Sequence, residues 1–315
     1  MEARTIPVPA GQPSFLDAPR GDDLATLEAD IAIIGVPDGV PYAMADTTSL
    51  SHDAPRTIRE QSMRLVGFLS HYDFDVGGPV LGANPPRIVD CGDVAMEPGQ
   101  FVANSQATTE VIAAILDRGA IPIVLGGDDS VPIPTLRAYE GRGDLCIVQL
   151  DAHLDWRDER HGVREGLSSP MRRASEMPWV TGMAQIGLRG AGSGRDLEFA
   201  AARAHGSVLI GAAEIHRDGV EAALAKIPAA ARYYIAFDAD ALDPAIAPGV
   251  QAQAFGGLTY DEASNLLRGV ARRGHVVGYD IVEVVPNADI GHITSRIAAR
   301  LTLTLIGELW RQRDR

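Results

Sequence analysis

The chain is nearly devoid of lysine. Lys226 is the single one among 28 basic residues, and the rest are arginine. Schiff-base chemistry is thereby all but excluded, since it needs a lysine amine in the site. Lys226 itself lies in an Ala-rich, helix-like stretch away from every motif. Cysteine is scarce as well: Cys91 and Cys146 are the only two, and neither belongs to a Cys-x-x-Cys pair. No disulfide framework is implied, and a reducing compartment is expected. Cys146 sits inside an apolar run and reads as a small core residue. No apolar run approaches the roughly 18 residues that span a bilayer. Residues 1–30 also lack the apolar core of a signal peptide, so a cytoplasmic location is expected. Positive charge is in deficit, with a formal net charge of −14. That argues against nucleic acid or an anionic membrane as partner. It would draw in small cations, although acidity also serves solubility.

What is present is a regular alternation of short apolar runs and amphipathic stretches. Strands are expected at 31–36, 87–90, 121–125, 145–150, 183–188, 208–210, 233–237 and 275–282. These runs are rich in Ile, Val and Leu without polar alternation, as in strands covered on both faces. Helices are expected at 55–66, 104–118, 132–140, 169–176, 195–205, 220–227, 259–273 and 290–310. Thr259 with Glu262 three residues later makes a capping box at one of them. The alternation indicates an α/β fold with a mainly parallel sheet. Residues 1–29 read as an irregular N-terminal arm and residues 30–315 as one domain.

The chemistry lies just beyond the apolar runs. Asp151-Ala152-His153-Leu154-Asp155 follows the run ending at Leu150. Alternate side chains of an extended segment point the same way, so two carboxylates and an imidazole share one face. A second acidic cluster, Asp238, Asp240 and Asp243-Pro244, follows Tyr234-Ile235-Ala236-Phe237. Gly126-Gly127-Asp128-Asp129-Ser130 follows Ile123-Val124-Leu125, and Glu283 follows Ile281-Val282. Single acidic residues at strand ends are common as turn and cap formers. Several clusters on one rim are different, because packed carboxylates repel one another unless cations hold them. In open parallel sheets that rim is where ligands bind. Two such clusters point to a two-metal site that activates water.

These segments resemble the ureohydrolase family, which includes arginase, agmatinase and guanidinobutyrase. The likeness runs from about Ile31 to the C-terminus and rests on the Asp-Ala-His-x-Asp and Asp-x-Asp-x-x-Asp-Pro signatures. Pro170-Met171-Arg172-Arg173-Ala174 and Gly256-Gly257-Leu258-Thr259 add to it. The resemblance implies a three-layer αβα fold around an eight-stranded, mainly parallel sheet, and a trimer or hexamer. It implies two divalent metals, manganese or nickel, and hydrolysis of a guanidino or amidino carbon with release of urea or an analogue. Carried over, Asp151 and Asp238 would bridge the metals, Asp155 and Asp129 would serve the first, and His153 and Asp240 the second. Asp155 and Glu283 are the catalytic candidates, with Glu283 receiving the cationic guanidinium.

The chain departs from the family pattern in three places. Asp129 stands where Gly-Gly-Asp-His-Ser has its histidine. The ligand set becomes five Asp and one His, so its charge is −5 rather than −4. The first metal then sees only oxygen ligands, which favour hard cations. Leu167 stands where the family has a histidine thought to assist proton transfer. His161 is a substitute only if its loop folds inward, and a lone loop histidine is more often exposed. Finally, Val250-Gln251-Ala252-Gln253 replaces the usual Thr-Gly-Thr-Pro, and the loop Pro37-Asp38-Gly39-Val40-Pro41-Tyr42 lacks the family pattern. Asp38 and Gln251 join Glu283 as substrate-side candidates, although Asp38 also reads as a turn residue. Two functions stay open. One is an active hydrolase of an unusual guanidino, amidino or biguanide-type cation. The other is a silent subunit that supports an active paralogue in a hetero-oligomer.

Overall fold

A computed structural model of the chain describes residues 4–313 except 22, 38, 41 and 43–48, with backbone only at 312–313. Its sheet is built from β1 (Thr5–Ile6), β2 (Ile31–Val36), β3 (Ile88–Val94), β4 (Ile121–Gly126), β5 (Leu145–Leu150), β6 (Val180–Leu188), β7 (Val208–Gly211), β8 (Arg232–Asp238) and β9 (His275–Val282). They lie in the order β1-β3-β2-β4-β9-β8-β5-β6-β7. All neighbours run parallel except β1, which pairs antiparallel with β3. The eight expected strands are therefore present, and a ninth comes from the arm.

Helices cover both faces. On one face lie α1 (Ala54–Val66), α6 (Ala212–Asp218), α7 (Val220–Lys226), α8 (Tyr260–Arg273) and α9 (Ile293–Arg313), sharing a core with Ile31, Ile33, Ile123, Val148 and Ile235. On the other lie α2 (Phe101–Asp117), α3 (Pro132–Arg137), α4 (Pro170–Ala174) and α5 (Asp196–His205), packed on Ala32, Ile34, Val124, Ile147 and Ala236. Adjacent strand residues thus bury in opposite layers, which is why these runs are apolar throughout. Among the described residues, no helix is long and apolar enough to cross a membrane.

The differences from expectation have local causes. The capping box at α8 forms, with the Glu262 N–H donated to Thr259 and the Thr259 N–H donated to Glu262. The last helix starts at Ile293 rather than 290 because Gly291 takes φ +61 and breaks the turn before it. Strand β3 runs on past its expected end at Asp90, through Cys91-Gly92-Asp93 to Val94. Asp90 is buried there, and Arg59 of α1 meets it with two hydrogen bonds of 2.8 and 3.0 Å. Arg59 also donates to Asp93 at 2.6 Å and to the Gly92 carbonyl at 2.7 Å.

The same aspartate seats the arm, which is not irregular throughout. The Phe15 N–H is donated to Asp90 and the Leu16 N–H to Ser62, and both apolar side chains are buried. Removing one member of a buried ion pair leaves the other charge uncompensated. Arg59→Met is therefore expected to lower unfolding stability by about 3–5 kcal/mol, as read by chemical denaturation. It should also release the arm, read as faster amide exchange at residues 15 and 16.

Candidate metal centre

The loops after β4, β9, β8 and β5 carry the acidic residues, and these four strands are consecutive neighbours in the sheet. Their ends are level: Leu125 and Phe237 both pair with Ile281, and Leu150 pairs with Phe237. The chain past each end therefore meets at one place. There Asp129, Asp151, Asp155, Asp238, Asp240 and Glu283 are all buried, and His153 is half-buried.

Two sets of ligand atoms form within this cluster. One comes from Asp129, Asp151 and Asp238, the other from Asp151, His153 and Asp240, each set lying within 4.8 Å. Asp151 belongs to both. His153 Nδ1 lies 3.0 Å from Asp240 and 3.5 Å from Asp151. Asp155 is in neither set but is held beside Asp151, because Gln149 Nε2 donates to both carboxylates at 2.7 and 2.8 Å. Glu283 accepts the Asp129 N–H at 3.0 Å and donates its own N–H to the Gly127 carbonyl at 2.8 Å. Asp155 and Glu283 take φ of +48 and +61. Side-chain-bearing residues rarely hold that conformation, and such strain collects at functional sites.

Electrostatics show what the cluster needs. Burial, and then the neighbouring carboxylates, push Asp129 and Asp238 well above the usual carboxylate range. Burial is also the largest cause of the rise at Asp151 and Asp155. Glu283 is pushed up to about 8, by burial first and then by the charge of Asp128, against the Asp129 N–H donated to it. Burial opposes charge on His153, but the hydrogen bond and charge of Asp240 prevail and raise it to about 9. Among the described residues, none donates a hydrogen bond to the buried Asp129 Oδ2. Carboxylate oxygens and one imidazole nitrogen, with carboxylates outnumbering the cationic groups beside them and one oxygen without a donor, fit divalent cations.

The remaining candidates divide. Asp38 lies outside the described residues. Gln251 is exposed, in a loop joined to the rim by an antiparallel bridge between Val250 and Val284, next to Glu283. His161 is exposed in a tight turn closed by Arg160 and Val163. Leu167 is half-buried, and the Ser168 N–H beside it is donated to the Tyr42 hydroxyl. Asp243 stays out of both ligand sets and instead accepts the N–H groups of Ala245, Gly256 and Gly257. Asp128 organises its own loop, accepting from the Ser130 N–H and hydroxyl. Gly39 leaves room for that carboxylate, which a Cβ would strike.

The supporting glutamines escaped the sequence reading. Gln149 Oε1 accepts from Gln185 Nε2 at 2.7 Å, and Gln185 Oε1 accepts from the Ser207 hydroxyl at 2.9 Å. Gln185 also donates to the Leu154 carbonyl at 2.6 Å. This buried chain runs from β5 across β6 to Ser207, just ahead of β7, and holds Asp151 and Asp155 from below. The available signal was a pair of amides inside otherwise apolar strands, since a buried amide must find partners.

The arginase family model matches residues 29–307. The guanidinopropionase of Pseudomonas aeruginosa is 32% identical, covering 97% of this chain and 94% of that protein. The agmatinase of Sodalis glossinidius is 30% identical over 93% of this chain and 91% of its own length. Among solved structures, proclavaminate amidino hydrolase from Streptomyces clavuligerus superposes with a TM-score of 0.81 at 28% identity, covering 99% of both chains. Formimidoylglutamase from Bacillus subtilis gives 0.78 at 25% identity over 98% of this chain and 96% of that one.

A pH dependence follows. The metal-free folded chain binds more protons than the unfolded chain wherever folding raises a pKa, so stability falls as pH rises there. For Glu283 that window runs from its ordinary 4.5 to about 8. For His153 it runs from 6.5 to about 9, with the same sign. Melting temperatures with a chelator present should fall from pH 5 to pH 9. Added Mn²⁺ should flatten that fall, and a flat chelated profile would contradict the crowded-charge description.

Proposed function

The chain belongs to the arginase family, a family of metal-dependent hydrolases of guanidino and amidino C–N bonds, and we propose that it cleaves such a bond in a small organic cation. The products are urea or an analogue and an amine. The observation that carries this reading is Asp151 standing in two ligand sets at once, with Glu283 accepting the N–H of Asp129 from one of them. In this reading Asp129, Asp151 and Asp238 hold one divalent ion, with Asp155 beside it, and Asp151, His153 and Asp240 hold a second. Two such ions, manganese or nickel, activate water and stabilise developing charge. The all-oxygen set at Asp129 favours the harder ion, manganese.

The protein's own residues do the rest. Glu283 receives the guanidinium N–H groups in charge-assisted hydrogen bonds and orients the central carbon. Its positive φ aims it into the site at the cost of backbone strain. Asp155 takes up the proton released by attacking water, on the carboxylate oxygen that Gln149 does not hold, and delivers it to the leaving nitrogen. Gln251 and Asp38 meet the rest of the substrate. The loop around Gln251 departs from the family pattern, which supports a substrate other than arginine or agmatine, with biguanide-type cations included. Two buried, unpaired cysteines suit a cytoplasmic setting.

A second reading has its own support. Asp129 and Leu167 replace two histidines of the family pattern, and exposed His161 leaves Leu167 without a substitute. In that reading the chain is a silent subunit, within a trimer or hexamer that includes an active paralogue.

The test measures metal per chain by elemental mass spectrometry and urea release on agmatine, guanidinobutyrate, guanidinopropionate, arginine and a biguanide. Asp238→Asn should abolish urea release and at least one bound metal, and unchanged values would refute the assignment. Asp129→His should raise metal occupancy if Asp129 is the weak ligand. A chain that binds two metals yet turns over only beside a paralogue would establish the second reading.

A further inference from the structure

We propose that Arg189 is a positioning residue, pinning the turn that carries Asp240 to the substrate-side loop at Ala254 and so setting how tightly the centre holds metal. The proposal rests on the metal-hydrolase reading of the site.

Arg189 is the first residue beyond β6, one strand outside the four that carry the cluster. Many of this protein's arginines reach carboxylates. Among the described residues, the hydrogen bonds of the Arg189 side chain all end on main-chain carbonyls. Nη1 donates to Gly187 at 3.0 Å and to Ala241 at 3.1 Å. Nη2 donates to Asp240 at 2.6 Å, Leu242 at 3.2 Å and Ala254 at 2.9 Å. Nε donates to Ala254 at 3.2 Å. Three successive carbonyls, those of residues 240, 241 and 242, therefore face one rigid planar fork. Lysine has no such fork to offer.

That turn is the one that needs holding. It is a single short 3-10 turn, Ala239–Ala241, between Asp238 and Leu242. Its two ligand candidates are tied locally by the Asp240 N–H donated to Asp238 and the Ala152 N–H donated to Asp240. The far side is closed by Gly257, where a Cβ would collide with the Arg189 guanidinium and with the main chain of Leu242. Asp243 clamps that glycine by accepting its N–H. Gly257 of the segment Gly256-Gly257-Leu258-Thr259 thus makes space for Arg189.

Two effects of Arg189 on metal binding have opposite signs. Its positive charge stands near Asp240, Asp151 and Asp238 and repels a metal ion. Its fork fixes the ligands and favours one. The extent of main-chain bonding indicates that geometry wins, and outer residues that orient ligands are typically worth about 10–100-fold in metal affinity.

The experiment compares the wild-type chain with Arg189→Lys, which keeps the charge and loses the fork, and Arg189→Met, which loses both. Amide exchange is read on the metal-free proteins, and Mn²⁺ affinity by calorimetry. Pinning predicts faster exchange over residues 239–258 in both variants, unchanged exchange elsewhere, and Mn²⁺ affinity weakened about tenfold or more. Tighter Mn²⁺ binding by Arg189→Met overturns the proposal, since it would show that charge dominates. Unchanged exchange overturns it as well. So does faster exchange with wild-type affinity, which would mark a merely structural role. A wild-type chain that takes up no Mn²⁺ counts against the metal reading instead, and exchange in the metal-free chain then still decides whether Arg189 pins the turn.

Discussion

Six buried carboxylates in one place are the constraint on which the rest of this structure depends. Burial disfavours charge in such a place, and neighbouring carboxylates disfavour it further. A folded chain tolerates such a cluster only if the surrounding structure holds it together and something supplies positive charge. The sheet provides the holding. Four consecutive strands end at one level, and none of the acidic loops can withdraw without disturbing a strand packed on both faces.

The support beneath and around the cluster follows from that need. Gln149 places one N–H₂ group between two carboxylates and is itself locked by Gln185 and Ser207. Arg189 satisfies the carbonyls of the second acidic turn. Asp243, although part of an acidic signature, spends its oxygens on main-chain N–H groups and shapes the turn. Acidic residues in these motifs therefore divide into those that face the centre and those that build the loops around it. Proximity in sequence does not separate the two kinds. The strained backbone at Asp155 and Glu283 belongs to the first kind.

The same constraint gives meaning to the two histidines of the family pattern that this chain lacks. An aspartate at position 129 adds a charge where charge is already in excess, and one of its oxygens is orphaned. A leucine at position 167 removes a group able to move a proton. In the proposed reading the first change bears on which ions the centre prefers, and the second on how protons leave it. Neither touches the scaffold, so membership of the arginase family and departure from its chemistry can coexist in one chain.

The eight long strands, most of the helices and the four acidic loops were legible in the sequence, because local patterns encode them. Apolar runs mark strands covered on both faces, and ligand spacing marks a rim. The edge strand Thr5–Ile6 was not legible, since two residues carry no periodicity and only the exposed side of β3 gives them a partner. The extension of β3 beyond Asp90 was hidden for a related reason: it leans on Arg59, from a helix over thirty residues away, which bonds buried Asp90, the Gly92 carbonyl and Asp93. Gln149, Gln185 and Arg189 looked like ordinary polar residues. Their roles arise where separate strands and loops meet, and hydrogen-bond partners distant in sequence leave no local mark. The sequence by itself determined the class of fold and the chemical character of the rim. Tertiary structure alone decided which carboxylates share a centre and which residues hold them, because that depends on the order of strands in the sheet.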